Sequence, residues 1–215
     1  FKPDYRAENI DTALDWSAWG GFAGAVEMCN NNGACRKKDA NVMCPSYRAT
    51  EKEAHLTRGR ANSLRLALSG QLGSKALTSE DMYESMQLCV SCKGCRRECP
   101  TGVDMAKMKV EFLHHYRSRH GVPARERLVA ELPRYASWVS RIPGLANARN
   151  RSSALRALGD RWLGLSAERQ LPQWAGRPFF AGQANTGEAR HGELVLLVDT
   201  FNRYFDPDVL SDVVT

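Results

Sequence analysis

Four cysteines fall within eleven consecutive positions of this chain, in the segment CVSCKGCRREC at residues 89–99, and Pro100 follows the last of them. Their spacing, C-x2-C-x2-C-x3-C, is one of the known cysteine arrangements for an iron–sulfur cluster of the [4Fe–4S] type. The two-residue gaps let a tightly turning backbone bring three thiolates onto one cluster. We expect Gly94 to supply the backbone freedom for that turn.

A structural zinc site is the main alternative for such a segment. Zinc knuckles and ribbons usually place their C-x2-C pairs roughly a dozen or more residues apart. Four thiols so close together fit a cluster better. A disulfide framework is disfavoured because seven cysteines is an odd number and no secretory signal pattern is present. The cysteine usage indicates a reducing, cytoplasmic location.

A second stretch, CNNNGACRKKDANVMCP at residues 29–45, repeats the pattern with two changes. Asn32 stands in the place of the second cysteine, and the last gap is eight residues instead of three. In two-cluster proteins, the cysteine before the proline reaches across to the other cluster. This rule assigns the cysteines to two sets of ligands. Site A comprises Cys44, Cys89, Cys92 and Cys95, and site B comprises Cys29, Cys35 and Cys99.

Site B is one ligand short, and three explanations stay open. A [3Fe–4S] cluster needs only three thiolates. A [4Fe–4S] cluster could take Asn32, His55 or a water molecule as its fourth ligand. The third explanation is that the first stretch holds no stable cluster.

The residues that flank the two cysteine loops are basic. The sequence also shows no pattern typical of an organic catalytic site. Cations near an anionic cluster favour its reduced form and raise its potential. No glycine-rich phosphate loop follows a strand, and no Ser/His/Asp set is visible. Clusters without such a site indicate electron transfer, with substrate binding at the open corner of site B as an alternative. The flanking basic residues are Arg36, Lys37, Lys38, Lys93, Arg96 and Arg97.

Helix signals dominate the rest of the chain, which predicts a mainly α fold. Residues 51–72 predict a helix that is loosened near Gly59. Two capping boxes are predicted, one at Thr78 and Asp81 and one at Thr101 and Asp104. An apolar stripe with a stop at Gly121 then predicts a long amphipathic helix. The stripe consists of Met105, Met108, Phe112 and Tyr116.

Composition shifts divide the chain into five segments, and we expect it to be an excerpt from a longer polypeptide. The run ELVLLVDTF at residues 193–201 predicts the one strand, and DPDVLSDVV begins a helix behind it. Together they suggest the start of an incomplete α/β domain. The predicted segments are a lead-in (1–20), an iron–sulfur domain (21–121), an Arg-rich helical segment (122–174), a linker (175–192) and the start of the α/β domain (193–215).

The positive charge is concentrated in one region. Residues 121–192 carry eleven arginines against five acidic residues, whereas the remaining chain balances nineteen basic against nineteen acidic residues. No nucleic-acid-binding motif accompanies this charge, so we expect no nucleic-acid partner. A solvated surface is the simplest interpretation, and docking on an acidic protein or on anionic lipids stays open as a peripheral membrane contact.

The two cysteine stretches, with ATEKEAHLTRGRANSLRLALSGQL between them, resemble the iron–sulfur region of FAD-linked oxidases of the D-lactate and D-2-hydroxyglutarate dehydrogenase type. They are more distantly similar to the iron–sulfur subunits of glycolate oxidase and anaerobic glycerol-3-phosphate dehydrogenase. The segment VLLVDTFNRYFDP resembles the start of the cysteine-rich α/β domain that follows in that family.

This resemblance implies an α-helical ferredoxin-like domain with ligand roles for the seven cysteines of sites A and B. It also implies that FAD, on an upstream domain or a flavoprotein subunit, oxidises a 2-hydroxy acid. The clusters would pass the electrons singly to a quinone or an electron carrier. Because no flavin domain is visible, we expect the chain by itself to lack this activity. A zinc-stabilised interaction module is the alternative.

Overall fold

The computed structural model describes residues 6–39, 42–180 and 196–214, and no strand occurs in these ranges. The prediction of a mainly α-helical chain is thus confirmed. The chain divides into two compact units after Gly121. The helices are α1 (Phe22–Glu27), α2 (Pro45–Thr50), α3 (Thr57–Leu68), α4 (Glu80–Gln87), α5 (Gly94–Glu98), α6 (Met105–His120), α7 (Ala124–Ala130), α8 (Leu132–Val139), α9 (Pro143–Ala146), α10 (Ala148–Arg151), α11 (Ser153–Leu163), α12 (Thr200–Tyr204) and α13 (Pro207–Val214).

α3 and α6 form the centre of the first unit. They pack against each other, and α3 also packs against α1 and α4. Leu64 and Leu68 of α3 lie one turn apart and are both buried in the same core. The apolar stripe of α6 is buried as predicted, and the helix ends at Gly121, whose φ is 79°.

A buried carboxylate fastens the N-terminal segment to α6. Glu111 has no exposed surface. It accepts hydrogen bonds from the backbone N–H groups of Ala13 and Leu14, at 2.9 and 3.0 Å, and from the indole N–H of Trp16, at 2.8 Å. Burial acts to raise the pKa of Glu111, but these bonds, together with His115, outweigh it and lower the pKa.

Both predicted helix caps are wrong in position. α4 is capped by Ser79, whose hydroxyl accepts the N–H of Met82 at 3.3 Å, and not by Thr78. α6 is capped by Asp104, whose carboxylate accepts the N–H of Lys107 at 2.9 Å, and not by Thr101. In each case the capping residue that directly precedes the first helical turn takes the role.

The helix predicted for residues 51–72 is shorter than expected. Glu53–His55 form a separate 3₁₀ turn, and α3 begins only at Thr57. Gly59 does not loosen the helix. It lies inside α3 against this turn, where an added Cβ would meet the carbonyl oxygen of Glu53 at 1.9 Å. Gly59 is thus needed for close packing of two backbone segments.

The second unit consists of short helices and an irregular segment. Pro133 stands in the first turn of α8 and Pro143 begins α9, positions that proline tolerates in a helix. Residues 164–180 form no helix but are fastened to the others by asparagine side chains. The amide of Asn147 both accepts from the N–H and donates to the carbonyl of Trp174, each at 2.9 Å.

The predicted strand is not found where the structure describes it. Residues 193–195 lie outside the described ranges, residues 196–199 have no regular structure, and Thr200 begins α12. Asp199 caps this helix by accepting the N–H groups of Phe201 and Asn202. A strand needs a neighbouring strand for its backbone hydrogen bonds, and the described residues offer none. The helix predicted behind it corresponds to α13.

Among the described helices, none has the length and apolar character needed to cross a membrane.

Candidate iron–sulfur sites

One cavity of the first unit is lined by the four cysteines assigned to site A: Cys44, Cys89, Cys92 and Cys95. Different elements bring them together. Cys44 directly precedes α2, Cys89 follows α4, and Cys95 lies in α5. Cys92 is exposed, whereas Cys44 and Cys95 are buried. Thiols from two distant stretches of the sequence, at position 44 and at positions 89–95, thus surround one space.

The two cysteine loops share a backbone conformation. Ser91 and Lys93 adopt left-handed φ angles of 54° and 59°, and the equivalent residues of the first loop, Asn31 and Gly33, have φ of 62° and 77°. These angles turn the chain between successive ligand positions. A short helix follows each loop, the 3₁₀ turn Ala34–Arg36 in one case and α5 in the other.

The expected role of Gly94 is therefore wrong. The left-handed turn is made by its non-glycine neighbours, and Gly94 itself lies at the start of α5 with no positive φ. A Cβ at this position would lie 3.0 Å from the side chain of Val42 and 3.4 Å from the backbone of Met43. Gly94 allows the two loops to approach each other.

Backbone N–H groups at the starts of two helices point at the sulfurs of site A. The N–H of Thr57 in α3 lies 3.1 Å from Cys44 Sγ, and the Thr57 hydroxyl lies 2.9 Å from the same sulfur. At the start of α6, the N–H groups of Met105 and Ala106 bond to Cys95. Such donors stabilise negative charge on a thiolate.

Burial sets the protonation of these thiols. It raises the pKa of Cys44 and of Cys95, and the hydrogen bonds just described only partly offset it. Without metal the thiols keep their protons. Cluster assembly must therefore release those protons.

Arg60 is a member of this cavity that the sequence analysis missed. It is 1% exposed. Its Nε donates to the carbonyl oxygen of Ser85 at 2.7 Å, and its second guanidinium nitrogen donates to the hydroxyl of Ser46 at 3.1 Å. The sequence feature that could have indicated its burial is the spacing. Arg60 lies four residues after Leu56 and four before Leu64, on the buried face of α3.

The first turn of α3 also contacts site B. Cys29 and Cys35 are both buried, and burial raises the pKa of the Cys35 thiol to about 11. The backbone N–H of Arg58 bonds to Cys35. Further along α3, Arg65 donates to the carbonyl oxygen of Cys29 at 2.6 Å, and Asn62 donates to the side chain of Asn31 at 2.9 Å.

Cys99 makes its contacts within its own loop. Burial acts to raise the pKa of Cys99, but the hydroxyl of Thr101 and the N–H groups of residues 101–103 outweigh it and lower the pKa. α5, which ends just before Cys99, packs against the turn Ala34–Arg36 that contains Cys35. The assignment of Cys99 to site B stays a prediction.

Both protein candidates for the missing ligand make hydrogen bonds with residues close to them in sequence. Oδ1 of the Asn32 side chain accepts the N–H of Ala34 at 2.8 Å, and its Nδ2 donates to Oδ1 of Asn30 at 2.6 Å. His55 is buried with its Nδ1 2.9 Å from the hydroxyl of Thr50. These hydrogen bonds fix the local conformation around each of the two side chains.

The donor set fits a cluster better than it fits a single ion. Thiolates around one tetrahedral zinc ion lie about 3.8 Å apart, since each Zn–S bond is roughly 2.3 Å. Within the described ranges, no three His, Cys, Asp or Glu side chains are grouped closely enough to share a metal ion. In a [4Fe–4S] cluster each thiolate binds a different iron, so four thiols spread around one cavity suit it.

Comparison with known proteins agrees with this interpretation. Residues 25–103 match the family described as 4Fe-4S dicluster domain. The chain is 28% identical to D-2-hydroxyglutarate dehydrogenase of Pseudomonas putida over 94% of its own length and 24% of that protein. It is 27% identical to D-2-hydroxyglutarate dehydrogenase of Escherichia coli, over 90% of this chain and 23% of that protein. It is also 28% identical to the "Probable glycolate oxidase iron-sulfur subunit" of Bacillus subtilis, over 54% of this chain and 28% of that protein.

The chain therefore spans about a quarter of the length of these relatives. No solved structure matches it. The matched residues include all seven cysteines of sites A and B, which lie between positions 29 and 99. Residues 25–103 thus match the 4Fe-4S dicluster domain family, within a chain that is similar over most of its length to part of the D-2-hydroxyglutarate dehydrogenases.

Proposed function

We propose that this chain is the iron–sulfur electron-transfer module of a flavin-dependent 2-hydroxy-acid dehydrogenase, with D-2-hydroxyglutarate or D-lactate as the substrate. The observation that carries the proposal is the cavity lined by Cys44, Cys89, Cys92 and Cys95. The similarity to D-2-hydroxyglutarate dehydrogenases supports the substrate class. We propose a [4Fe–4S] cluster at site A and a [4Fe–4S] or [3Fe–4S] cluster at site B.

The residues of the chain hold and shield these clusters. Bound clusters supply one-electron acceptors and donors. The seven thiolates of sites A and B ligate iron, and the N–H groups of Thr57, Met105 and Ala106 orient and stabilise the sulfurs of site A. Buried apolar residues such as Met105 exclude water from one wall of the cavity.

The electron count explains why such a module is needed. Oxidation of a 2-hydroxy acid to a 2-oxo acid releases two electrons and two protons, which a flavin accepts together. A downstream quinone or electron carrier can then receive the electrons singly through the clusters. The flavin domain, on the same polypeptide or on a separate subunit, and the acceptor are partners in this proposal.

Rapid-freeze EPR of the anaerobic enzyme that contains this chain with its flavin domain tests the proposal. Addition of D-2-hydroxyglutarate, or of D-lactate in a parallel sample, should bleach the flavin and then produce reduced-cluster signals within a turnover. The L-enantiomer serves as the control. If the flavin is reduced by substrate while the clusters stay oxidised and turnover continues, the clusters are not on the electron path.

We further propose that the second unit binds the cytoplasmic surface of a membrane through α11. Leu155, Leu158 and Trp162 recur at helical spacing on this helix and are 42%, 54% and 74% exposed. By the same spacing, Arg156 and Arg161 flank this apolar stripe on either side. An exposed apolar stripe with a tryptophan and flanking arginines suits an interface of anionic lipids. A quinone acceptor would be reached there.

A further inference from the structure

We propose that Arg60 is the cation that sets the reduction potential of the cluster at site A, and that Arg58 has a weaker, compensated role at site B. This inference rests on the proposed function, because it requires that both sites hold clusters. It concerns residues that are not ligands, and it follows from how α3 is placed between the sites.

The first turn of α3 serves both sites with consecutive residues. The N–H of Thr57 lies 3.1 Å from Cys44 of site A, and the next N–H, that of Arg58, bonds to Cys35 of site B. The side chain of Arg60 then lines the cavity of site A. An added Cβ on Gly33, in the loop of site B, would lie 3.4 Å from the guanidinium of Arg58. The side chains of Arg60 and Arg58 thus lie at different sites, although only three residues of α3 span both.

The charge of Arg60 is buried without a carboxylate partner. Both of its hydrogen bonds go to neutral oxygens, those of Ser85 and Ser46. Among the residues that the structure describes, no Asp or Glu forms an ion pair with it. A buried cation of this kind is unfavourable unless an anion lies nearby. The thiolates of site A and the cluster they hold are the anions that the cavity provides.

Arg58 differs from Arg60 in both respects. Its side chain is 21% exposed, and its Nε lies 2.7 Å from the carboxylate of Glu53. The negative charge of Glu53 cancels much of the field of Arg58, and water screens the remainder. The net field of Arg58 at site B is therefore weaker than the field of Arg60 at site A.

An uncompensated cation stabilises the more negative, reduced form of a cluster. The effect is larger for a buried charge such as that of Arg60 than for a solvated one, because the effective dielectric constant around it is lower than in water. Removal of the Arg60 charge should therefore lower the potential of site A. A lysine at the same position should keep the charge while it loses part of the hydrogen bonding.

The test is an anaerobic, EPR-monitored redox titration of the intact protein with Arg60→Gln and Arg60→Lys. Cys92→Ser identifies which signal belongs to site A. We expect Arg60→Gln to weaken reduction of site A at least tenfold, or 59 mV for a one-electron couple, and to leave site B unchanged. Arg60→Lys should restore most of this difference.

Arg58→Gln and Glu53→Gln are the matched controls at site B. Arg58→Gln should shift only the potential of site B, and by less than Arg60→Gln shifts site A. Glu53→Gln should raise the potential of site B, because it leaves the charge of Arg58 uncompensated.

An unchanged site A potential in Arg60→Gln, with full iron and sulfide content, would overturn the proposal. If Arg60→Gln fails to hold the cluster, Arg60→Lys decides the matter. Restored loading with a nearly normal potential supports the role of the charge, and failure of both variants shows that Arg60 is needed for structure instead. If the unmodified protein shows no reduced cluster at either site, the proposed function itself fails, independently of Arg60.

Discussion

At the scale of single residues, Asn32 and Cys92 occupy the same place in two loops of similar backbone. The residues on both sides of this place have left-handed φ angles in each loop. They are Asn31 and Gly33 in the first loop and Ser91 and Lys93 in the second. Among the first three ligand positions of the two loops, only the second differs in residue type. The missing thiol of site B can thus be traced to one residue.

The variant Asn32→Cys should give site B a fourth thiolate. Because the loop already has the required backbone turn, we expect the new thiol to point as Cys92 does. The [3Fe–4S] EPR signal of the air-exposed protein should then disappear, since the fourth iron is held. Asn30→Cys, two residues earlier in the same loop, is the control and should leave that signal in place. A persistent three-iron signal in Asn32→Cys would contradict the equivalence of the loops.

At the scale of elements, α3 is the part that connects both sites to the core, and its placement depends on Gly59. An alanine there would force its Cβ to within 1.9 Å of the carbonyl oxygen of Glu53 unless the backbone moves. We expect Gly59→Ala to destabilise the protein by about 1–3 kcal/mol. It should also weaken iron retention at both sites, because Thr57 and Arg58 would shift with the helix.

Thermal unfolding and iron analysis check this expectation. Gly144→Ala is the control, since a Cβ at that position meets nothing within 4 Å. Equal stability and iron content of Gly59→Ala and the unmodified protein would mean that the contact with Glu53 does not fix α3.

From the exposed apolar stripe of α11 we predict that the protein binds anionic lipid vesicles. The intact protein should sediment with vesicles that contain anionic phosphatidylglycerol and not with pure phosphatidylcholine vesicles. The double variant Leu158→Ser with Trp162→Ser should lose most of this binding. Trp138→Ser removes a tryptophan of α8 that is 68% exposed and should have little effect. Equal binding to both vesicle types, or full binding by the double variant, would contradict lipid docking through α11.

At the scale of the whole molecule, Glu111 couples stability to pH. Its pKa is lowered in the folded chain, so its charge stabilises the fold above the unfolded pKa of about 4.3 and the contribution is lost as the pH falls through the folded value. Glu111→Gln should cost roughly 1–3 kcal/mol at pH 7, because buried donors such as the indole of Trp16 lose a charged acceptor.

Chemical denaturation of both proteins from pH 7 down to about pH 3, which lies below the unfolded pKa, measures this effect. The difference between them should shrink toward the acid end, and comparison at each pH cancels any loss of clusters that both share. Glu84→Gln, at an exposed position, should change little. A difference that does not vary with pH would show that the charge of Glu111 is unimportant.

The sequence predicts the chemistry of the sites better than their surroundings. Cysteine spacing and the crossover rule group the four thiols that line the cavity of site A. Arg60 escapes such a reading, since a charged residue in a helix is normally solvated and only tertiary packing buries it. The predicted caps lie one residue before Ser79 and three residues before Asp104, because competing cap residues differ by small energies. The predicted strand depended on neighbouring strands that the described residues do not supply.

The most direct test of the two-site interpretation is anaerobic EPR of the purified chain, before and after dithionite, with iron and acid-labile sulfide counted in the same sample. Two clusters held by sites A and B should give about seven or eight iron atoms and about eight sulfides per chain. EPR should then show two interacting reduced clusters, or a [3Fe–4S] signal as isolated and a [4Fe–4S] signal after reduction. Bound zinc with no sulfide and no EPR signal would contradict both sites and the electron-transfer function together.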